Sequence, residues 1–522
     1  MMRLPHAACI ALMISVSALT AAAQPKLPYE QTDWCTPETE IDRLVLAGLA
    51  AEDIAPAVPC SDEVFIRRVY LAVTGRIPRA VAVEQFLADA DPNRRARVID
   101  DLLASDEAAD YLTLKWCDLL RVKAEFPINL WPNAVQCYHR WIRDAVGQNM
   151  PYDQFARHLL TSSGSNFRVP PVNFYRALQG SEPPSLAAAV ALTFMGTRLE
   201  AWPQDQRDQM AAFFSRIAYK GTAEWKEEIV YLNPACNEPL EAVLPDGTRV
   251  HIEAGEDPRQ AFADWLISDD NPWFARSIAN RVWSWLMGRG IVHEPDDIRD
   301  DNPPVNPELL ALLEREMAGS GYDLRHLYRL ILNSRTWQQS SIPASDDPTA
   351  EKLFAFYLPR RLDAEVLIDT LCWLGGRGES YSSPIPEPFT YIPEYHPTVE
   401  LADGSITSSF LEMFGRPSRD TGLEAERSNE PTEGQRLYLL NSMDVAKRLS
   451  KSPLLREAAA KASEGPGGAI RWVYLSLLSR EPTEAEFAAL TAYAAEAGLK
   501  PQDLLVDLMW ALINSKEFLY LH

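Results

Sequence analysis

The stretch Asn271-PWFARSIANRVWSWLMGRGIVHEPDDIRDDNPPVNPELLAL-Leu313 decides how the rest of the chain is read. After Asn271-Pro272, the residues Phe274, Ile278, Val282, Trp283, Trp285 and Leu286 recur at helical spacing, and Gly288-Arg289-Gly290 ends the run. Arg276 and Arg281 ride on this otherwise apolar helix. A loop dense in carboxylates follows (Glu294, Asp296, Asp297, Asp300, Asp301), and Pro303-Pro304 leads into a new helix. Fixed charge beside this much apolar surface points to a built site or a buried ionic strut.

Helical periodicity of this kind extends in both directions. Towards the N-terminus, EVFIRRVYLAVTG closes at Gly75, and runs around Asn93–Ser105, Trp116, Tyr138 and Pro151–Leu160 share its texture. Further helices are expected at 184–195 and 206–217. Between Ala223 and Pro258 the texture changes. Glu228–Leu232 (EIVYL) reads as a strand, and Glu241–Ile252 reads as a hairpin turning at Asp246-Gly247. Helices return from Arg259 onward. The expected fold is therefore mainly α: two helical domains (24–222 and 259–522) with a small β-hairpin insert (223–258) between them. An echo runs through the chain. Ile66-RRVYLAVTGRI-Pro78 matches Ile470-RWVYLSLLSRE-Pro482, and an apolar helix followed by a serine joint recurs near Leu102, Leu330 and Ala511. Two or three imperfect copies suggest a reused helical hairpin, not a solenoid.

The first 23 residues carry one Arg, an apolar run and Ala21-Ala22-Ala23, the pattern of a cleaved secretory signal peptide, which implies a periplasmic or secreted protein. No second span is legible downstream. The net charge of −23 disfavours nucleic acid and anionic membrane as partners. Removing the leader leaves Cys35, Cys60, Cys117, Cys137, Cys236 and Cys372, and Cys35 with Cys60 is the preferred pair in an oxidising compartment. Cys-x-x-Cys, His-Glu-x-x-His, Gly-x-Ser-x-Gly and phosphate-loop motifs are missing from the sequence.

Four constellations carry candidate chemistry. Asp118 and Arg121 share a helix face, with His139 on the next helix. Arg360 precedes Asp363 and Glu365; Arg281 sits on the anchor helix; Glu424, Glu426 and Arg427 cluster near the end. Carboxylates flanked by arginine and aromatic rings suit carbohydrate: rings stack on sugar faces and paired acids exchange protons. The same residues suit ion pairs between helices. On the carbohydrate reading, Asp118, Arg121, Arg281, Asp363 and Glu365 are the candidate catalytic residues, and Trp131, His139, Trp283 and Arg360 contact substrate. Asp296, Asp297 and Asp300 are the candidate ligands for calcium, although Arg299 sits among them and the spacing is not that of an EF-hand. No other cofactor is expected.

FIRRVYLAVTGRIP, YHRWIRDAVGQNMPYDQFARHLLTSSGSNF and NFYRAL resemble the N-terminal family 1549 of domains of unknown function. The run from Asp257 to Leu310, then DLRHLYRLILNSRTWQQSS, RRLDAEVLIDTL, FLEMFGRP and LYLLNS, resemble its C-terminal partner, family 1553. The resemblance covers nearly the whole mature chain. It implies an exported, cytochrome-associated protein of planctomycete and verrucomicrobial type, often encoded beside sulfatases and polysaccharide-degrading enzymes. Many family 1549 members carry a Cys-x-x-Cys-His segment after a Gly-x-Arg run; here Gly196-Thr-Arg-Leu-Glu leads to Ala201-Trp202-Pro203-Gln204. Three functions follow as expectations: binding or modifying a polysaccharide or sulfated glycan, scaffolding a protein partner, or an oxidoreductase without covalent haem.

Overall fold

The computed structural model describes residues 28–268, 271–465 and 467–522; the leader expected over residues 1–23 lies outside them. The fold is mainly α, with only small antiparallel sheets. Among the described residues no helix is long and apolar enough to cross a membrane.

The anchor helix runs Phe274–Met287. Asn271 starts it, its Oδ1 accepting the amides of Trp273 (2.9 Å) and Phe274 (3.0 Å). Gly288 stops it at φ 81°, where a side chain would be strained. Ten of its residues are buried, Arg281 among them, because neighbouring elements cover it on several sides. Asn280 pins the returning loop by exchanging both its amide groups with the backbone of Val292 (2.9 Å each).

The N-terminal and C-terminal stretches interlock over a shared apolar core that runs from Ile41 to Leu521. Arg67, buried in the Asp62–Thr74 helix, donates to the carbonyls of Leu477 (2.7 Å) and Phe518 (3.0 Å). Arg68 donates to Trp337 and Gln339. These guanidiniums satisfy backbone carbonyls at helix ends that would otherwise be buried without a donor.

The serine joints are one device used three times. Ser105, Ser334 and Ser515 each donate to the carbonyl three residues back (Leu102, Ile331, Leu512) and accept the amide three residues on (Ala108, Trp337, Phe518). Each hydroxyl thus ends one helix and caps the next.

The β segment is larger than its sequence suggests. The expected hairpin is present as Leu240–Val243 against Arg249–Ile252. Glu228–Leu232 pairs with Ile217–Gly221 and with Gly164–Ser165. The helix expected to reach residue 217 ends instead at Ala212. The buried pair Phe213-Phe214 turns the chain there, and Tyr219 ties the new strand to the carbonyl of Tyr175 (3.1 Å). The expected Cys35–Cys60 disulfide is not formed. The six cysteines among the described residues are free thiols: Cys35 is exposed, whereas Cys60 is buried with its amide bonded to Gln338.

Candidate functional site

Three segments build the site. On the Asp106–Leu119 helix, Tyr111, Lys115 and Asp118 stand four and then three residues apart and so share one face. Asp363 precedes the Ala364–Gly375 helix and Glu365 lies in its first turn, where the helix dipole favours negative charge. The loop from Arg416 to Asn429 brings Arg416, Arg419, Arg427 and Asn429 against both helices. Glu426 shapes that loop, accepting the amides of Asp420 (2.8 Å) and Thr421 (3.1 Å). Gly422, at φ 74°, lets it pass: a Cβ there would meet the carbonyl of Leu119 at 2.6 Å.

The charges then interlock. Asp118 accepts Nε of Arg419 (2.9 Å) on one oxygen, and Nε (3.1 Å) and Nη2 (2.6 Å) of Arg427 on the other. Arg427 forks onto Glu365 at 2.7 and 3.1 Å, and Arg416 lies 3.3 Å from the same carboxylate. Asp363 accepts from Tyr111 (2.8 Å), Lys115 (2.7 Å) and Asn429 (2.9 Å). Three carboxylates thus meet four cations, a balance of one positive charge in an acidic protein. Burial opposes charge on Asp118, but Arg427 and Arg419 outweigh it and hold the carboxyl below its usual range. Asp363 lies well below that range, because Lys115 and Arg427 likewise outweigh its burial. Burial also opposes charge on Arg427, and Asp118 and Glu365 reverse the effect and lift it well above an ordinary arginine.

A second pair adjoins this network. Arg281 and Asp296, both shut off from solvent, meet at 2.8 Å. Glu424 links them to the first network. Its amide donates to Asp296 (2.6 Å), its carboxylate accepts Nε1 of Trp285 (3.0 Å), and Arg281 lies 3.8 Å away. Burial raises the Glu424 carboxyl above its usual value, with Arg281 and Lys115 pulling the other way. A small cleft of about 10 Å³, the space of roughly one water, opens here, lined by Lys115, Asp118, Gly422, Glu424 and Arg427 among others. It presents two cations, one carboxylate held ionised and one carboxyl displaced towards its protonated form.

Asp118, Asp363 and Glu365 are therefore brought together. Arg121 and Arg281 border them: Arg121 donates to the carbonyl of Thr421 (2.8 Å), and burial lowers it to about 10. Arg360 lies apart, donating to the carbonyl of Trp285. His139 is half-buried and pushed down to about 3, by burial first and by Arg419 and Arg143 next, so it is neutral at pH 7. Trp283 has no exposed surface and packs on Phe354 (5.1 Å); it is a core ring and offers no face to a substrate. The proposed calcium ligands are drawn apart by arginines. Asp296 turns inward to Arg281, Asp297 pairs with Arg299 (3.1 Å), and Asp300 is exposed. Among the described residues no three ligating side chains converge on a point.

Sequence reasoning missed Lys115, Arg416 and Arg419. Lys115 was within reach, since its spacing to Tyr111 and Asp118 marks one helix face. The two arginines lie in an irregular loop where periodicity says nothing.

Two family models match the chain in tandem: a protein of unknown function, DUF1549 (PSCyt2), over residues 40–219, and a protein of unknown function, DUF1553 (PSD1), over residues 258–494. The chain is a paired DUF1549–DUF1553 protein. The site is assembled across the pair: the DUF1549 stretch supplies Lys115 and Asp118, and the DUF1553 stretch supplies Asp363, Glu365, Glu424 and Arg427. No curated protein and no solved structure matches the DUF1549–DUF1553 chain.

Proposed function

We propose that this chain is an exported protein that binds or modifies a glycan in a polysaccharide-utilisation system, and that it does so at the Lys115–Asp118–Glu424–Arg427 cleft. One observation carries the reading. Two carboxyl groups, contributed by the two family stretches, line one cleft and are displaced in opposite directions, Asp118 downward and Glu424 upward. Such a divided pair is how one site holds a proton donor beside a fixed negative charge. In this reading Glu424 donates a proton to a bridging oxygen as its bond to the anomeric carbon breaks, water adds to that carbon and returns a proton to Glu424, Asp118 supplies negative charge to the developing cation, and Lys115 and Arg427 engage hydroxyl, carboxylate or sulfate oxygens.

The scaffold reading draws on a different observation: the deeper part of the network, Glu365 with Arg416 and Arg427, is sealed from solvent and ties helices together. The two separate on Glu424→Gln, which changes neither side-chain volume nor the buried knot. The glycan reading expects Glu424→Gln to cut turnover of a retained glycan at least 100-fold with the melting temperature unchanged. Equal glycan binding and turnover by wild type, Glu424→Gln and Lys115→Ala would discard it in favour of the scaffold.

A further inference from the structure

Away from the cleft, three segments bring large rings to the surface at one place. Trp131 meets Trp225 at 6.2 Å with the planes 79° apart, and Phe389 at 5.6 Å with the planes 55° apart. Lys226 sets its ammonium 5.4 Å from the Trp131 ring and 5.6 Å from that of Trp225. Trp225 is 69% exposed and Phe389 50%. Phe126, in the same loop as Trp131, and Tyr391, two residues beyond Phe389, are also exposed. Single apolar residues on a surface are ordinary, but a cluster of rings drawn from three remote segments is not.

The cluster is held in place by polar bonds beneath it. Buried Asn166 donates to the carbonyl of Lys226 (3.3 Å) and accepts the amide of Glu228 (2.9 Å). Ser165 (2.5 Å) and Thr222 (2.6 Å) both donate to Glu227. The loop leading to Trp131 is fixed where the amides of Ala124 and Glu125 bond to Asp403 (2.9 Å) and Ser405 (3.0 Å). Trp131 itself sits at φ 71°, in the left-handed region that a bulky side chain avoids, and tertiary contacts keep it there. Trp225 and Lys226 fall between the two family-matched stretches, so one of the three rings comes from sequence belonging to neither model.

We infer that Trp131, Trp225 and Phe389 form a stacking platform for a neutral polysaccharide chain, separate from the cleft lined by Lys115, Asp118, Glu424 and Arg427. This deepens the glycan reading and rests on it for the class of occupant. The faces of a pyranose ring are apolar C–H surfaces ringed by hydroxyls, and they pack on indole and phenyl rings without needing a counter-charge. Charge selects the neutral chain: a polyanion is repelled by a protein of net charge −23, Lys226 is already engaged with two rings, and neighbouring Arg168 is paired with Glu224 (3.5 Å) and Glu227 (3.6 Å). The tilted rings fit a chain whose successive sugars are rotated against one another.

The test is affinity electrophoresis of the full chain through gels carrying neutral xyloglucan or galactomannan, and separately carrageenan or polygalacturonate. Wild type should be retarded by a neutral gel. Trp225→Ala/Phe389→Ala should bind it at least tenfold more weakly with an unchanged melting temperature, both rings being half exposed or more. Retardation only in the anionic gels would overturn the platform, as would equal retardation of the double variant or passage of wild type through all four gels unhindered. A change in sedimentation of the double variant without a change in retardation would reassign the rings to a protein contact and overturn it too. Failure of the cleft is read independently, as Glu424→Gln retaining full turnover of soluble oligosaccharides.

Discussion

Two arginines in this protein each grip two carboxylates, and the contrast between them separates a brace from a site. Arg480 forks onto Glu486 (2.8 and 2.8 Å) and Glu517 (2.6 and 2.7 Å), partners 6 and 37 residues away. Arg427 forks onto Glu365 and Asp118, partners 62 and 309 residues away. The Arg480 clamp closes a helical corner, with a third of Glu486 in solvent and the same carboxylate capping Thr483. The Arg427 knot joins remote helices, excludes water from Glu365 and borders a cleft. Identical hydrogen-bond chemistry therefore serves local geometry in one place and long-range assembly in the other.

The largest effect should come from Arg427→Met. Removing the guanidinium takes both hydrogen bonds from Glu365, leaving it only Arg416 at 3.3 Å, and bares one oxygen of Asp118 in a dry interior, so unfolding in urea should show a loss of about 3–5 kcal/mol. A loss below about 1 kcal/mol would mean that the knot adds little to the fold. Arg480→Ala should cost less, roughly 1–2 kcal/mol, because its acids recover water.

Acid should expose the same difference. Burial raises Glu486, but Arg480 and the Thr483 amide outweigh it and hold the carboxyl at about 2, against 4.5 unperturbed. Its contribution is thus complete above about pH 4.5 and is lost as pH falls towards 2. Urea midpoints of wild type and Arg480→Ala should therefore converge across that interval. If they stay parallel down to pH 2, the clamp is not what acid breaks. The smallest effect belongs to Ser515→Ala, which uncaps the short helix carrying Glu517 and should cost about 0.5–1 kcal/mol. Its combination with Arg480→Ala should fall short of the sum, since both loosen one corner.

How much of this was legible follows from the separations. The helices, the stop at Gly75, the hairpin at Asp246-Gly247 and the serine joints rest on neighbours in sequence, and the residues announce them. Asp118, Asp363 and Glu365 stood out as acids among apolar residues, and the structure brings them together. Periodicity marks which face of a helix is covered but not which remote segment covers it. Trp283 therefore resembled a stacking surface, although the anchor helix is enclosed on that side. Likewise the acidic loop resembled a cation site until Arg281, on the preceding helix but adjacent in space, claimed Asp296. Arg416 and Arg419 sit in a loop without a repeat, and only the fold brings them to the acids.

The 309-residue span between Asp118 and Arg427 also governs how the protein comes into being. A nascent chain grown only to residue 400 already holds Asp118, Asp363 and Glu365, yet Lys115 is the sole cation of the knot so far synthesised. Closing the interior around that imbalance is uphill, so burial of these three acids waits for the arginines of the final quarter. Completion of the polypeptide, and not the making of any one helix, is what makes burial of these three acids favourable.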